Sequence, residues 1–216
     1  MLRLLSGGGF VSFVYILTNE SMPGYIKIGL TENLVPERVV QLDNTSVALP
    51  FQCYYAARVE DNRKIERALH NAFGDFRVRP NREFFKMDPY KVKVILEILA
   101  IEDVTPKNEL VATTEDSQAL RSAGIKAGRF KFSSAGIAIG ATLNFVKDLN
   151  LTAIVVEDSW VIFGGERHSL TTAALEALKN CGYNWSSVQG PEYWLHNGES
   201  VGSLRARQRE LEESGE

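Results

Sequence analysis

Val14-Tyr15-Ile16 and Tyr25-Ile26-Lys27-Ile28-Gly29 are two short apolar runs separated by Thr18-Asn19-Glu20-Ser21-Met22-Pro23-Gly24. Asn, Ser, Pro and Gly interrupt any continuous element between them, so the pair reads as a β-hairpin. Side chains alternate along a strand, which puts Tyr25, Lys27 and Gly29 on one face and Ile26, Ile28 and Leu30 on the other. The first set is the one able to line a polar site.

Downstream of the hairpin, Asn33 reads as the cap of a helix running to about Leu42, with Pro36 in its first turn. Val35, Val39 and Leu42 fall on one face of that helix, which leaves Arg38 beside the hairpin it packs on. Phe51 to Val59 is aromatic and apolar and reads as a third strand. Ile65, Leu69, Ala72 and Phe73 predict a helix from about Asp61 to Phe73, stopped by Gly74. Glu66 and His70, four apart, share one stripe of it. Arg82 to Met87 reads as a strand and Tyr90 to Ile101 as a closing helix.

The stretch 103–120 is polar, has no sustained periodicity and reads as a linker. It separates a first domain at 10–102 from a second at 121–216. The second part is Gly-punctuated β, with a hairpin about Asp158-Ser159. A helix opens at Ser169 and stops at Gly182, and a charged tail reads as helical from about Val201. The expected class is α+β in two domains.

The chain has 216 residues, 44% hydrophobic and 24% charged, enough to bury a real core. Cys53 and Cys181 stand far apart with no CxxC spacing, which argues against a zinc site or a disulfide framework. Met1 to Gly9 is too short in apolar length for a signal peptide and no later run could span a membrane, so a cytoplasmic protein is expected. The net charge is −3, yet Met1–Ala100 carries 13 Lys and Arg against 11 Asp and Glu. Arg58, Arg63, Lys64, Arg67, Arg77, Arg79, Arg82 and Lys86 cluster there, either to track a phosphate backbone or as an ordinary solvated face.

The Tyr-Ile and Lys-Ile-Gly tripeptides of the hairpin resemble the start of the GIY-YIG nuclease superfamily. Val14 stands where that family has its first Gly, and Lys27 where it has its second Tyr. The run Glu66-Arg67-Ala68-Leu69-His70-Asn71-Ala72-Phe73 and the later Glu83-Phe84-Phe85 resemble one branch of it. The resemblance covers about Phe10 to Met87. It implies a small three-stranded antiparallel sheet flanked by helices, and metal-dependent hydrolysis of DNA phosphodiester bonds.

Carried over by residue, the resemblance implies that Tyr15 positions or deprotonates the attacking water. Lys27 bonds Tyr15 or lowers its pKa, Arg38 grips the phosphate, and Glu66 holds Mg²⁺ or Mn²⁺. His70 is either a general base or a residue that orients Glu66, and Glu83 an anchor for a loop arginine. The partner implied is DNA, with RNA left open, and cutting both strands with one small site suits a homodimer. Two other readings stay open: a DNA-binding module without cleavage, and a partner-binding protein defined by its second domain.

The second part resembles a domain of unknown function that often follows GIY-YIG domains, through Gly165–Leu175 and Gly182–Trp194. More distantly it resembles small domains suspected of sensing modified DNA. Trp185, Tyr193 and Trp194 there are either base-stacking residues or core.

Overall fold

The computed structural model describes residues 12–44, 47–108, 110, 113–126 and 129–214, without the side chains of 121 and 124–126. Met1 to Gly9, and Thr45-Ser46, lie outside these residues. Five strands make the first sheet: β1 (Phe13–Thr18), β2 (Tyr25–Thr31), β3 (Gln52–Arg58), β4 (Phe84–Lys86) and β5 (Glu102–Asp103). Their order is β4-β2-β1-β3-β5, with every neighbouring pair antiparallel. The expected three-stranded sheet is therefore too small. Of its two extra strands, β4 lies within the Arg82–Met87 stretch read as a strand but not counted into the sheet, and β5, two residues long, is below the length at which alternation can be read.

β1 is buried along its whole length because the sheet is covered on both faces. On one face Phe13, Tyr15 and Leu17 pack with Val35 and Val39 of helix α1 (Val35–Leu42). On the other, Val14, Ile16, Ile26 and Ile28 pack with Leu69 of α2 (Asn62–Ala72) and with Val92 and Leu96 of α3 (Pro89–Leu99). Asp61 caps α2 by accepting from the Lys64 amide at 2.9 Å. Asn33 does not cap α1: Leu34 is the cap residue, and the Asn33 amide donates to Thr31 Oγ1 at 3.0 Å.

The stretch read as a linker is built into the structure. Val104 donates to the Ala56 carbonyl at 2.9 Å, Trp185 Nε1 donates to the Pro106 carbonyl at 3.2 Å, and helix α4 spans Thr114–Lys126. Beyond it, β6 (Thr142–Phe145), β7 (Asp148–Glu157), β8 (Trp160–Phe163), β9 (Glu166–His168), β10 (Trp194–His196) and β11 (Glu199–Ser200) form a second sheet. Its order is β11-β10-β6-β7-β8-β9. Helix α5 (Leu170–Asn180) is capped by Ser169, and α6 (Val201–Ser214) follows β11 directly.

The two halves share one core. The apolar cluster that holds Val14 and Ile28 continues through Tyr54 and Tyr55 to Phe145, Tyr193, Trp194 and Val201. Tyr193 and Trp194 are 1% and 0% exposed, so both serve as core rather than as stacking surfaces. Trp185 is half-buried and meets Tyr183 edge-on at 5.2 Å. No helix among the described residues is long and apolar enough to cross a membrane.

Candidate functional site

Antiparallel pairing sets Tyr15 opposite Gly29, with Leu17 opposite Lys27. The Tyr15 ring lies over Gly29, where a Cβ would come within 2.6 Å of the hydroxyl oxygen. A glycine is required there by space. The ring therefore points from the central strand across β2.

β4 pairs only with Tyr25 to Lys27, and past the Ile28 amide, which donates to the Glu83 carbonyl at 3.1 Å, the outer edge of β2 has no strand beside it among the described residues. Helix α2 takes that place. Asn62 Nδ2 donates to the Thr31 carbonyl at 3.1 Å, and His70 Nε2 lies 3.0 Å from the Ile28 carbonyl. Asn62, Glu66 and His70 occupy one stripe of the helix. Glu66, midway between the two tethers, is thus held beside the part of β2 that Tyr15 covers.

Arg38 comes from the opposite side. Its helix lies over the Tyr15 face, and its Nε donates to the Tyr15 hydroxyl at 3.4 Å. Burial pushes the Tyr15 phenol above its ordinary value; Arg38 opposes this by hydrogen bond and charge, and the charges of Glu83 and Glu66 add to it. One hydroxyl therefore senses Arg38, Glu66 and Glu83 together. The expectation that Lys27 lowers the Tyr15 pKa is not met. The Lys27 ammonium is ion-paired with Glu83 and sits 5.5 Å from the Phe84 ring. Glu83 thus anchors Lys27 and not a loop arginine.

His70 is buried, against the Phe85 ring at 5.1 Å, and its Nε2 is 3.5 Å from Glu66 Oε1. The same nitrogen faces the Ile28 carbonyl, so the ring is a tether between α2 and β2. Among the described residues no three His, Cys, Asp or Glu side chains gather into a cage for a metal ion. Glu66 has no lysine or arginine ion partner among the described residues and is 16% exposed. A single carboxylate of this kind fits Mg²⁺, which keeps several waters and takes one or two protein carboxylates. It does not fit structural zinc.

The basic residues divide. Arg58 is paired with Glu102 and Arg63 with Glu32, both at 3.0 Å. Arg77 is spent on its own loop, with Nε donating to the Arg82 carbonyl at 2.6 Å. Lys64, Arg67, Arg79 and Arg82 are exposed, and Arg63, Lys64 and Arg67 line one shallow depression on the outer side of α2. Gly29 is on the hairpin face expected to line a site, and Glu83 was expected to anchor a loop arginine rather than Lys27. Asn62 has no place in the sequence reading of the site; its signal is the four-residue step back from Glu66.

Residues 12–101 match the T5orf172 domain. This is a different family from GIY-YIG, no GIY-YIG model matches, and the resemblance drawn from the tripeptides is overturned. The two departures from that pattern have structural counterparts: Val14 is fully buried core, and Lys27 is held by Glu83 rather than by Tyr15. No curated protein and no solved structure matches the chain.

Proposed function

We propose that the part of the chain around the first sheet is a nuclease that hydrolyses phosphodiester bonds of DNA with a divalent metal ion. The observation that carries this is the Arg38 guanidinium bonded to the Tyr15 hydroxyl, with the Glu66 carboxylate near enough for its charge to act on that hydroxyl. The T5orf172 domain is associated with nuclease-like and DNA-binding functions, which is compatible with the reading.

A phosphodiester is cut when a water is aligned behind phosphorus and the growing negative charge is neutralised. Arg38 supplies a planar fork for the phosphoryl oxygens, a better match to a tetrahedral anion than a point charge. Tyr15, with its pKa raised, keeps its proton at neutral pH, so it orients the water and does not deprotonate it. Glu66 holds the metal ion, which when bound makes a coordinated water more acidic and offsets phosphoryl charge. His70 acts as a positioning residue that fixes α2, and with it Glu66, against β2. Exposed Lys64, Arg67, Arg79 and Arg82 contact the backbone of the nucleic acid and set the salt dependence of binding.

The test is plasmid nicking with Mg²⁺ and with EDTA, for the parent and Glu66→Ala. The parent should nick only with the metal, and the variant should lose nicking while keeping its melting temperature. Glu66→Ala that nicks like the parent removes the proposed metal ligand. A parent that binds duplex but never cuts with Mg²⁺ or Mn²⁺ assigns the fold to binding alone.

A further inference from the structure

The chain between α2 and β4 is short and stiff. A single helical turn, Gly74–Phe76, leads into Arg77-Val78-Arg79-Pro80-Asn81-Arg82. Three hydrogen bonds fold this run into a hairpin: the Val78 amide donates to the Phe84 carbonyl at 3.0 Å, the Arg82 amide to the Arg79 carbonyl at 3.0 Å, and Arg77 Nε to the Arg82 carbonyl at 2.6 Å. Pro80, second in the turn, fixes its backbone further. At the base of the hairpin the Ile28 amide donates to the Glu83 carbonyl at 3.1 Å, and the Glu83 carboxylate holds the Lys27 ammonium. β4 runs antiparallel to β2 with Phe84 opposite Lys27, so the hairpin leaves β2 beside Ile28, next to the Gly29 that the Tyr15 ring covers.

Phe76 and Val78 are 45% and 49% exposed, on a segment whose own hydrogen bonds keep it from folding them away. Arg79 and Arg82 beside them are exposed, and among the described residues no carboxylate is in ion-pair contact with either. Asp75 is the one acidic side chain from Phe73 to Arg82. Apolar side chains and guanidinium groups free of carboxylates thus share one small projection. Water suits the second kind and not the first.

We propose that this hairpin is a wedge that parts one base step of a DNA duplex, with Phe76 and Val78 in the minor groove and Arg79 and Arg82 on the flanking phosphates. The inference rests on the nuclease reading and adds to it how the substrate is held. The partner must be anionic where the arginines lie and apolar within a side chain's length of them. An inorganic anion leaves Phe76 and Val78 in water, and a duplex bound only by its phosphates does the same. A duplex opened at one step offers both surfaces, phosphates outside and base faces within. Parting the step kinks the duplex, so the protein should favour sites where the step is already loose.

The test uses two duplexes of about 20 base pairs with a dye at each end, one intact and one with a central mismatch, in EDTA so that neither is cut. The full chain is expected to bend the intact duplex, seen as a rise in energy transfer. It should bind the mismatched one about tenfold more tightly, because the unstacking cost is spared there. Phe76→Ser combined with Val78→Ser, both at exposed positions, should bind the two duplexes alike and leave the intact one straight. Arg79→Gln should keep the bend and lower the salt slope by about one. A parent that binds the intact duplex without bending it, or a folded double variant that bends it as the parent does, overturns the wedge; plasmid nicking with Mg²⁺ by that parent leaves the nuclease reading in place. A parent that binds neither duplex overturns the wedge as well, and if it also nicks no plasmid the nuclease reading falls with it.

Discussion

Tyr15 occupies the space that any side chain at position 29 would need, with its hydroxyl carbon 2.7 Å and its hydroxyl oxygen 2.6 Å from a Cβ built on Gly29. The strand pair is thereby packed around one phenol, and the phenol is aimed by what is missing opposite it.

Gly29→Ala should displace the ring and lower stability by about 1–3 kcal/mol, as overpacked cores do. Gly29→Ala combined with Tyr15→Leu should regain much of that loss in urea denaturation, because the contacting ring atoms are gone. A single mutant as stable as the parent would mean that the ring moves aside freely.

Tyr15→Phe keeps the ring and removes the hydroxyl. On the proposed role it should slow cleavage by roughly a hundredfold or more, the scale of one electrostatic or acid–base group, with little change in stability. The pKa is raised from 10.0, so the parent pH–rate profile should show no limb from Tyr15 ionisation between neutrality and pH 10. An alkaline limb below that, absent from Tyr15→Phe, would contradict the neutral phenol.

For Lys27 and Glu83 the order of two effects is the test. The Lys27 side chain is 9% exposed and that of Glu83 41%. Glu83→Gln strands a buried ammonium and should cost about 1–3 kcal/mol. Lys27→Met leaves a carboxylate that can turn to water and should cost less. Melting temperatures in the reverse order would show that the pair is held from the Glu83 side.

Burial, with the Asp88 charge as a smaller cause, lifts Glu192 from 4.5 to about 7, against the opposing Ser200 hydrogen bond and Arg205 charge. Its folded pKa exceeds its unfolded one, so its contribution is complete below pH 4.5 and is lost as pH rises through 7. The loss is on the order of 3 kcal/mol. Glu192→Gln should flatten the fall in melting temperature between pH 5 and 8. An unchanged slope would place the titration elsewhere.

The hairpin, the helices α1 to α3 and the Ser169 cap were legible because each carries a local signal in turn residues, period or cap. The placement of Arg38 beside the hairpin and of Glu66 with His70 on one stripe followed from the same periodicities. The β4 strand falls within the Arg82–Met87 stretch read as a strand, but neither Lys27–Glu83 nor β5 could be read, because pairing across 56 residues or through a two-residue strand leaves no mark in a local window. The 103–120 stretch is polar, and α4, which begins within it at Thr114, carries no sustained apolar stripe by which a helix could be read.

The common core has a consequence in the order of synthesis. Tyr54, in β3, donates its hydroxyl to the Glu192 carbonyl at 3.3 Å, packs on Tyr193 at 5.2 Å, and lends its own carbonyl to the buried Lys147 ammonium at 2.8 Å. The Glu192 contact joins residues 138 positions apart. At roughly 5–20 residues per second, the ribosome adds the intervening chain over on the order of ten seconds. During that interval the nascent hairpin and β3 have no partner for Tyr54, and the sheet that carries Tyr15 lacks its support. A nascent chain stalled after residue 101 should be cut by protease where the released full chain resists, and any activity of the first sheet should appear only after the second is made.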